Sequence, residues 1–307
     1  MLVLPRKGLR HTQRGREYMV CLTELPLRHM LPSRATIAMG PSRIVCKAAA
    51  CVCLFILCST SILGAEPIPV RYREGVARGF LTLRSADGET LAEGGVVQIP
   101  KDKVVESRLT FHFTNSSLYD ERIVFSQDHV FTLQRYHLAQ QGPAFRTALD
   151  VSFDRETKRY IGWYADGKGN RQELRGTLQM PPDLYNGMTE VILRNLPLGG
   201  RATVQMVVFT PSPQVVKLPL VPFAEEKMLV GEIPTSATHY HVVPKLSGLR
   251  GVIASLIGVK LPTLHYWITR EEVPAFLGFE GPLFFHGPVW RIGVSYRTIP
   301  PRVPQGK

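Results

Sequence analysis

The chain has no cysteine after residue 58. Its five cysteines are Cys21, Cys46, Cys51, Cys53 and Cys58. Residues 66–307 therefore have no disulfide, no thiolate nucleophile and no cysteine metal ligand. This part of the chain must be held together by its core alone, and its length is sufficient for one domain.

The sequence also lacks an apolar run long enough to cross a membrane cleanly. The most apolar stretch, Ala48 to Cys58, is followed by Ser59-Thr60-Ser61, whereas a membrane-spanning helix needs roughly 20 predominantly apolar residues. A small basic flank precedes the stretch, and small residues follow it, just before Glu66. These are the parts of a secretory signal peptide.

We therefore predict three regions along the chain. Residues 1–38 form a poorly structured N-terminal extension, with Met39 as a possible true start, and residues 39–65 form the signal peptide. Residues 66–307 form a single β-rich domain, periplasmic or secreted after cleavage near Ala65. A retained anchor is the alternative, and it leaves the domain on the same side of the membrane.

A strong excess of positive charge is absent from this predicted domain. Nine of the 37 Lys and Arg residues and two of the 25 Asp and Glu residues precede residue 66, so the formal net charge falls from +12 for the whole chain to +5 beyond it. No basic run interleaved with aromatic residues occurs, so we predict no nucleic-acid partner. Membrane contact is expected only through the signal segment or peripherally.

Signatures of catalysis are also missing. Neither a GxSxG nucleophile turn nor an HExxH zinc helix is present. Asp150 and Asp154 share one strand face and could do acid–base work, but the sequence favours a solvated strand edge, because the pair leads into the turn-like DRETKR. We predict that the protein is not an enzyme, with a hydrolase as the competing class.

What the sequence has in abundance is apolar residues that alternate with polar ones. Segments such as GFLTLRS and SRLTFHFTN place large apolar residues on one face, and turns rich in Gly, Asn and Asp separate such segments at short intervals. This pattern is typical of an antiparallel meander. We predict a mainly β (α+β) fold, with a strongly curved antiparallel sheet or open barrel and two short helices.

Two segments have helical spacing instead. The first, within PPDLYNGMTEVILRNLPLGG, spaces its apolar residues for one helical face, at Leu184, Met188, Val191 and Ile192. The second lies in SGLRGVIASLIG and has the apolar positions Leu249, Val252, Ile253, Leu256 and Ile257. The opposite face of this second helix is small and only weakly polar, so the helix suits two apolar contacts.

The layout resembles that of uncharacterised secreted bacterial proteins known only as a domain of unknown function. The positions that match lie within residues 145–296; they are Asp183, Arg194, Leu198, Gly199, Trp267, Pro274 and Trp290. That group has no activity to carry over. Its architecture is similar in outline to periplasmic lipoprotein-carrier half-barrels, and this likeness implies a sheet that holds acyl chains under a helical lid.

The sharpest polar cluster is THYHVV. His239 and His241 stand two residues apart, so on a strand both imidazoles project from one face. Two imidazoles could begin a metal site if His112, His265 or Glu280 supplied a third ligand. The alternative is the polar outer face of a strand. We predict no resident cofactor and no metal, and His239 and His241 are the candidates if a metal does bind.

The strongest binding hypothesis is apolar. The loop-like stretch PAFLGFEGPLFFHGPVWRI carries many aromatic residues, namely Phe276, Phe279, Phe284, Phe285 and Trp290. With the helix Leu249–Ile257 they could form the rim and lid of a site for a lipid or other amphiphile, because each buried methylene contributes about 0.8 kcal/mol. The alternatives are aromatic residues that cap the core and an envelope scaffold that meets a protein partner.

Overall fold

The structure, a computed structural model, describes residues 66–246 and 262–295. The predicted extension, the signal segment and the helix Leu249–Ile257 lie outside these residues. The described residues contain fifteen strands: β1 (Ala77–Ser85), β2 (Thr90–Lys101), β3 (Val104–Phe113), β4 (Leu118–Gln127), β5 (Phe131–Gln141), β6 (Ala148–Asp154), β7 (Arg159–Ala165), β8 (Arg171–Thr177), β9 (Ala202–Phe209), β10 (Pro213–Val230), β11 (Ile233–Val242), β12 (Lys245–Leu246), β13 (Leu264–Thr269), β14 (Phe276–Gly281) and β15 (Trp290–Val294).

These strands form one large antiparallel sheet. Hydrogen-bonded neighbours follow the order β12-β10-β11-β13-β14-β15-β1-β2-β3-β4-β5-β6-β7-β8, and β9 also pairs with β10. Within the described ranges β8 pairs only with β7 and β12 only with β10, so the sheet is not closed into a barrel. The prediction of a mainly β, antiparallel fold is confirmed.

The described part of the chain has one helix, α1 (Thr189–Asn195), where the sequence predicts a longer one. The four predicted apolar positions are all buried, but Leu184 forms an isolated β-bridge with Gln205 and Met188 directly precedes the helix. Gly187 has φ +68°, and an added Cβ would stand 2.7 Å from the Ile123 side chain. The left-handed conformation at this crowded glycine delays the start of the helix. No helix among the described residues has the length and apolarity that a membrane span requires.

One strand is unusually long, and another lies where the sequence predicts a loop. β10 runs without a break over Pro213–Val230, and its pairing with β11 shifts register between Pro222 and Ala224. Phe276 and Phe279, predicted to lie in a loop, belong to β14, which pairs with both β13 and β15. Two glycines within β14 and a register shift opposite Ile268 hide the alternation that would reveal this strand.

The hydrophobic core lies on the inner face of the sheet, where α1 also packs. Val191, Ile192 and Leu193 of α1 are buried, and the helix contacts β13. From the facing strands come Tyr240 and Val242, which are also buried. Because successive strand residues point to opposite faces, His241, which lies between Tyr240 and Val242, must point outward.

Candidate metal centre

Three histidines meet on the outer face of β11 and β13. His241 lies directly opposite His265 in the antiparallel pairing, and His239 lies directly opposite Trp267. Paired residues of neighbouring strands share a face, so all four rings stand together. Their chain neighbours Tyr240 and Tyr266 point to the other face and pack in or against the core.

The donor atoms of the three imidazoles are close enough to share one ion. His239 Nε2 lies 2.9 Å from His265 Nδ1. One ring nitrogen from each of His239, His241 and His265 lies within 4.8 Å of the other two. Two nitrogens bound to one tetrahedral Zn²⁺ stand about 3.3 Å apart, since each Zn–N bond is about 2.0–2.1 Å long. The His239–His265 separation is close to this value, and no separation within the set exceeds 4.8 Å.

Glu226 orients the most buried of the three rings. Its Oε1 lies 2.7 Å from His239 Nδ1, and its Oε2 accepts a hydrogen bond of 2.8 Å from Trp267 Nε1. A carboxylate only accepts hydrogen bonds, so Nδ1 of His239 is the protonated nitrogen. The lone pair of His239 is then on Nε2, which points toward the other two imidazoles. This carboxylate–histidine arrangement is the usual support of a metal-ligating histidine.

The electrostatics of the cluster favour neutral imidazoles. Burial lowers the pKa of His265, and the neighbouring His239 lowers it further. The pKa of His241 is also lowered, first by burial and then by the other two histidines. The Trp267 hydrogen bond, followed by that of His239, lowers the pKa of Glu226 and keeps it ionised. The lowered pKa values of His241 and His265 favour their neutral imidazoles, the form in which histidine binds a metal.

Aromatic rings enclose two sides of the cluster. The Phe223 ring stacks on His241 with centroids 3.7 Å apart, and the Trp267 ring stacks on His239 with centroids 4.5 Å apart. The register shift in β10 provides the extra residue, Phe223, at this point. His239 is only 7% exposed, whereas His241 and His265 are partly exposed. The cluster therefore has one side lined by aromatic rings and another side that is accessible to solvent.

The sequence offers three residues as a possible third metal ligand, and the structure places only one of them in the cluster. His265 joins His239 and His241, as described. His112 lies on β3, and four strands of the sheet separate it from β13. Glu280 lies opposite His265 but forms an ion pair of 2.8 Å with Arg291. The sequence did not predict that Glu226 and Trp267 belong to this cluster, because only the register of β10, β11 and β13 places them beside His239.

The aromatic residues predicted to form a ligand rim have several locations. Trp290 is buried and packs against Phe113, Phe145 and Phe284. Phe279 is buried beside Tyr266. Phe276, Phe284 and Phe285 are partly exposed.

The other half of that predicted site, Leu249, Val252, Ile253, Leu256 and Ile257, lies outside the described residues. Binding of an amphiphile, and the envelope-scaffold alternative, therefore stay predictions.

The paired carboxylates have local partners. Asp150 Oδ1 lies 3.1 Å from His137 Nε2, and Asp154 Oδ1 accepts the backbone N–H of Thr157 at 2.8 Å in the adjoining turn. A shallow groove of about 290 Å³ on β4 to β7 is lined by Asp154 together with His137, Arg135 and Arg159. It is distant from the histidine cluster in the strand order, and we place the candidate site at that cluster because its three ring nitrogens converge.

Comparison with known proteins gives little further information. No family model matches the chain. No curated protein matches it significantly. Among solved structures, it is similar to a β-barrel-like protein of Domain of Unknown Function DUF1849 from Brucella abortus, with 9% sequence identity and a TM-score of 0.36. That match covers 76% of this chain and 98% of the other. A likeness at this level carries no argument about ligand or activity.

Proposed function

We propose that this protein binds a divalent transition-metal ion, with Zn²⁺ as the first choice, through His239, His241 and His265. The observation that carries the proposal is the convergence of three imidazole nitrogens, one of them oriented by a carboxylate. Imidazole is a good ligand for Zn²⁺, Cu²⁺ and Ni²⁺, whereas Mg²⁺ and Ca²⁺ prefer oxygen. The role proposed is binding, without turnover.

The direct test is metal content and metal-dependent stability. The full chain, treated with chelator and then dialysed against Zn²⁺, is expected to retain one ion per molecule by elemental analysis. Zn²⁺ at 100 times its dissociation constant is expected to stabilise the fold by about 2.7 kcal/mol, because the ion binds only the folded state. Thermal unfolding measures this shift. If none of Zn²⁺, Co²⁺, Ni²⁺ and Cu²⁺ is retained or raises the melting temperature, the proposal is wrong.

The supporting carboxylate gives a second prediction. Glu226→Gln leaves one acceptor oxygen where the carboxylate has two, so the side chain can accept from His239 Nδ1–H or from Trp267 Nε1–H but not from both, and the support of the His239 ring weakens. We expect Zn²⁺ affinity to fall about 10- to 100-fold, the usual effect of removing such a support. Competition with a chromophoric chelator measures the affinity.

Glu225→Gln is the matched control for this change. Glu225 is the preceding residue, and its carboxylate pairs with Arg270 at 3.1 Å instead of with the histidines. We expect this variant to bind Zn²⁺ like the unmodified chain. Equal losses in the two variants would show that charge alone, not the orientation of His239, supports the ion.

A further inference from the structure

A carboxylate lies on the inner face of the sheet, among residues of the core. The residues two positions before and after Glu121 on β4 are Tyr119 and Ile123, and both are buried. Glu121 lies directly opposite Leu109 of β3 and Leu138 of β5. Because alternate residues of a strand share a face, Glu121 points inward with these neighbours. An ionised carboxylate on an apolar face is costly unless a positive charge compensates it.

Two tyrosines hold this carboxylate in place. The Tyr136 hydroxyl donates a hydrogen bond of 2.8 Å to Glu121 Oε1, and the Tyr119 hydroxyl also interacts with the carboxylate. Both tyrosines are fixed in the core, since Tyr119 is 3% exposed and Tyr136 is 5% exposed. Burial raises the pKa of Glu121, and the two hydroxyls oppose that rise. Neutral donors of this kind position the carboxylate without balancing its charge.

The charge of Glu121 has no counter-ion in the part of the chain that the structure describes. Arg194 of α1 pairs with Glu74 at 2.9 Å. Arg122, the next residue on β4, points to the outer face and pairs with Asp120 at 2.7 Å. No described Lys, Arg or His forms an ion pair with Glu121, and no basic group contributes to the shift of its pKa. The inner face therefore carries a fixed acceptor that lacks a cation.

An accessible apolar row leads away from this carboxylate. Glu121 is partly exposed, and so are the next two residues of its row across the strands, Leu109 of β3 and Val96 of β2. Neighbouring strands lie about 4.8 Å apart, so the backbone of Val96 is about 10 Å from that of Glu121. A ligand that fits this row has a positive group at one end and an alkyl chain behind it.

We propose that Glu121 binds the ammonium group of an amphiphilic amine, whose alkyl chain lies along Leu109 and Val96. The ammonium group supplies both the missing positive charge and N–H donors for a charge-assisted hydrogen bond. The chain adds affinity by leaving water, about 4-fold for each methylene that is buried. This site lies on the face of the sheet opposite the histidines, so the inference does not depend on the proposed metal function.

The test is calorimetric titration of the metal-free full chain with octylammonium, octanol and octanoate, which have the same chain length and differ in charge. At about pH 7 an alkylamine is protonated. We expect octylammonium to bind at least 10-fold more tightly than octanol, and octanoate to bind most weakly. Glu121→Gln keeps an acceptor for Tyr136 but removes the charge. It should lower the affinity for octylammonium to that for octanol and leave octanol binding unchanged.

Glu173→Gln is the matched control, because the Glu173 side chain is 78% exposed on β8 and pairs with Arg175. We expect this variant to bind octylammonium like the unmodified chain. Equal affinities of the unmodified chain for octylammonium and octanol would overturn the inference and identify Glu121 as a neutral, structural acid. Preference for octanoate would overturn the assignment of a positive head group.

Two further variants, Arg250→Gln and Lys260→Gln, test the basic residues that lie between the two described ranges. We expect both variants to bind octylammonium like the unmodified chain. Binding that appears only after one of these substitutions would overturn the inference, because the chain would then supply the positive charge itself.

Discussion

Alanine at His239 is expected to lower the affinity for Zn²⁺ by more than about 100-fold. This ring is the most buried of the three and the one whose lone pair is directed by Glu226. The variant keeps only two of the three ligands. Losing a supporting carboxylate lowers metal affinity about 10- to 100-fold, and losing a ligand should lower it further. Competition with a chromophoric chelator measures the change, and His241→Ala and His265→Ala should show losses of the same order.

His112→Ala is the matched control for these variants. His112 is exposed, lies on the same sheet and was an equal candidate as a third ligand from the sequence. We expect its removal to leave Zn²⁺ affinity unchanged. Circular dichroism of each metal-free variant establishes that the sheet is intact. A His239→Ala variant that binds Zn²⁺ like the original chain would contradict the proposed site.

The meander was predictable because its signal is local. Alternation within a few residues determines which side chains face the core, and the turns between strands are marked by Gly, Asn and Asp. Most of the predicted segments appear as strands for this reason. That His239 and His241 share a face follows from the same local rule.

The rest of the metal site depends on register between distant segments. Glu226 is 13 residues from His239 along the chain, and His265 is 26 residues away. Shifting either strand by one residue would turn these side chains to the opposite face. No pattern within β10 or β13 specifies that register, and the extra residue Phe223 changes it locally. The sequence alone therefore could not decide whether His112, His265 or Glu280 is the third ligand.

A second feature that the sequence could not predict is the irregular segment 68–75. Its backbone is held by side chains more than 100 residues away: the Tyr185 hydroxyl accepts from Ile68 N at 3.0 Å, and Asn195 Oδ1 accepts from Arg71 N and Tyr72 N at 2.9 and 2.7 Å. Asn195 is almost fully buried and also donates to the Val191 carbonyl. Together with the Arg71–Leu196 hydrogen bond and the Arg194–Glu74 ion pair, this amide joins the segment to the end of α1.

Asn195→Ala is therefore expected to lower the free energy of unfolding by about 2–6 kcal/mol, because it leaves two partly buried backbone N–H groups without their acceptor, each costing about 1–3 kcal/mol. Urea denaturation of the metal-free chain measures the loss.

Arg71→Ala is the control. It removes the guanidinium hydrogen bond to the Leu196 carbonyl but keeps both backbone N–H bonds to Asn195 Oδ1, so it should lower the free energy of unfolding by about 1 kcal/mol or less. If the two variants unfold at the same urea concentration, the Asn195 amide does not hold this segment. Zn²⁺ affinity should be unchanged in both, because α1 contacts β13 from the inner face and the histidines lie on the outer one.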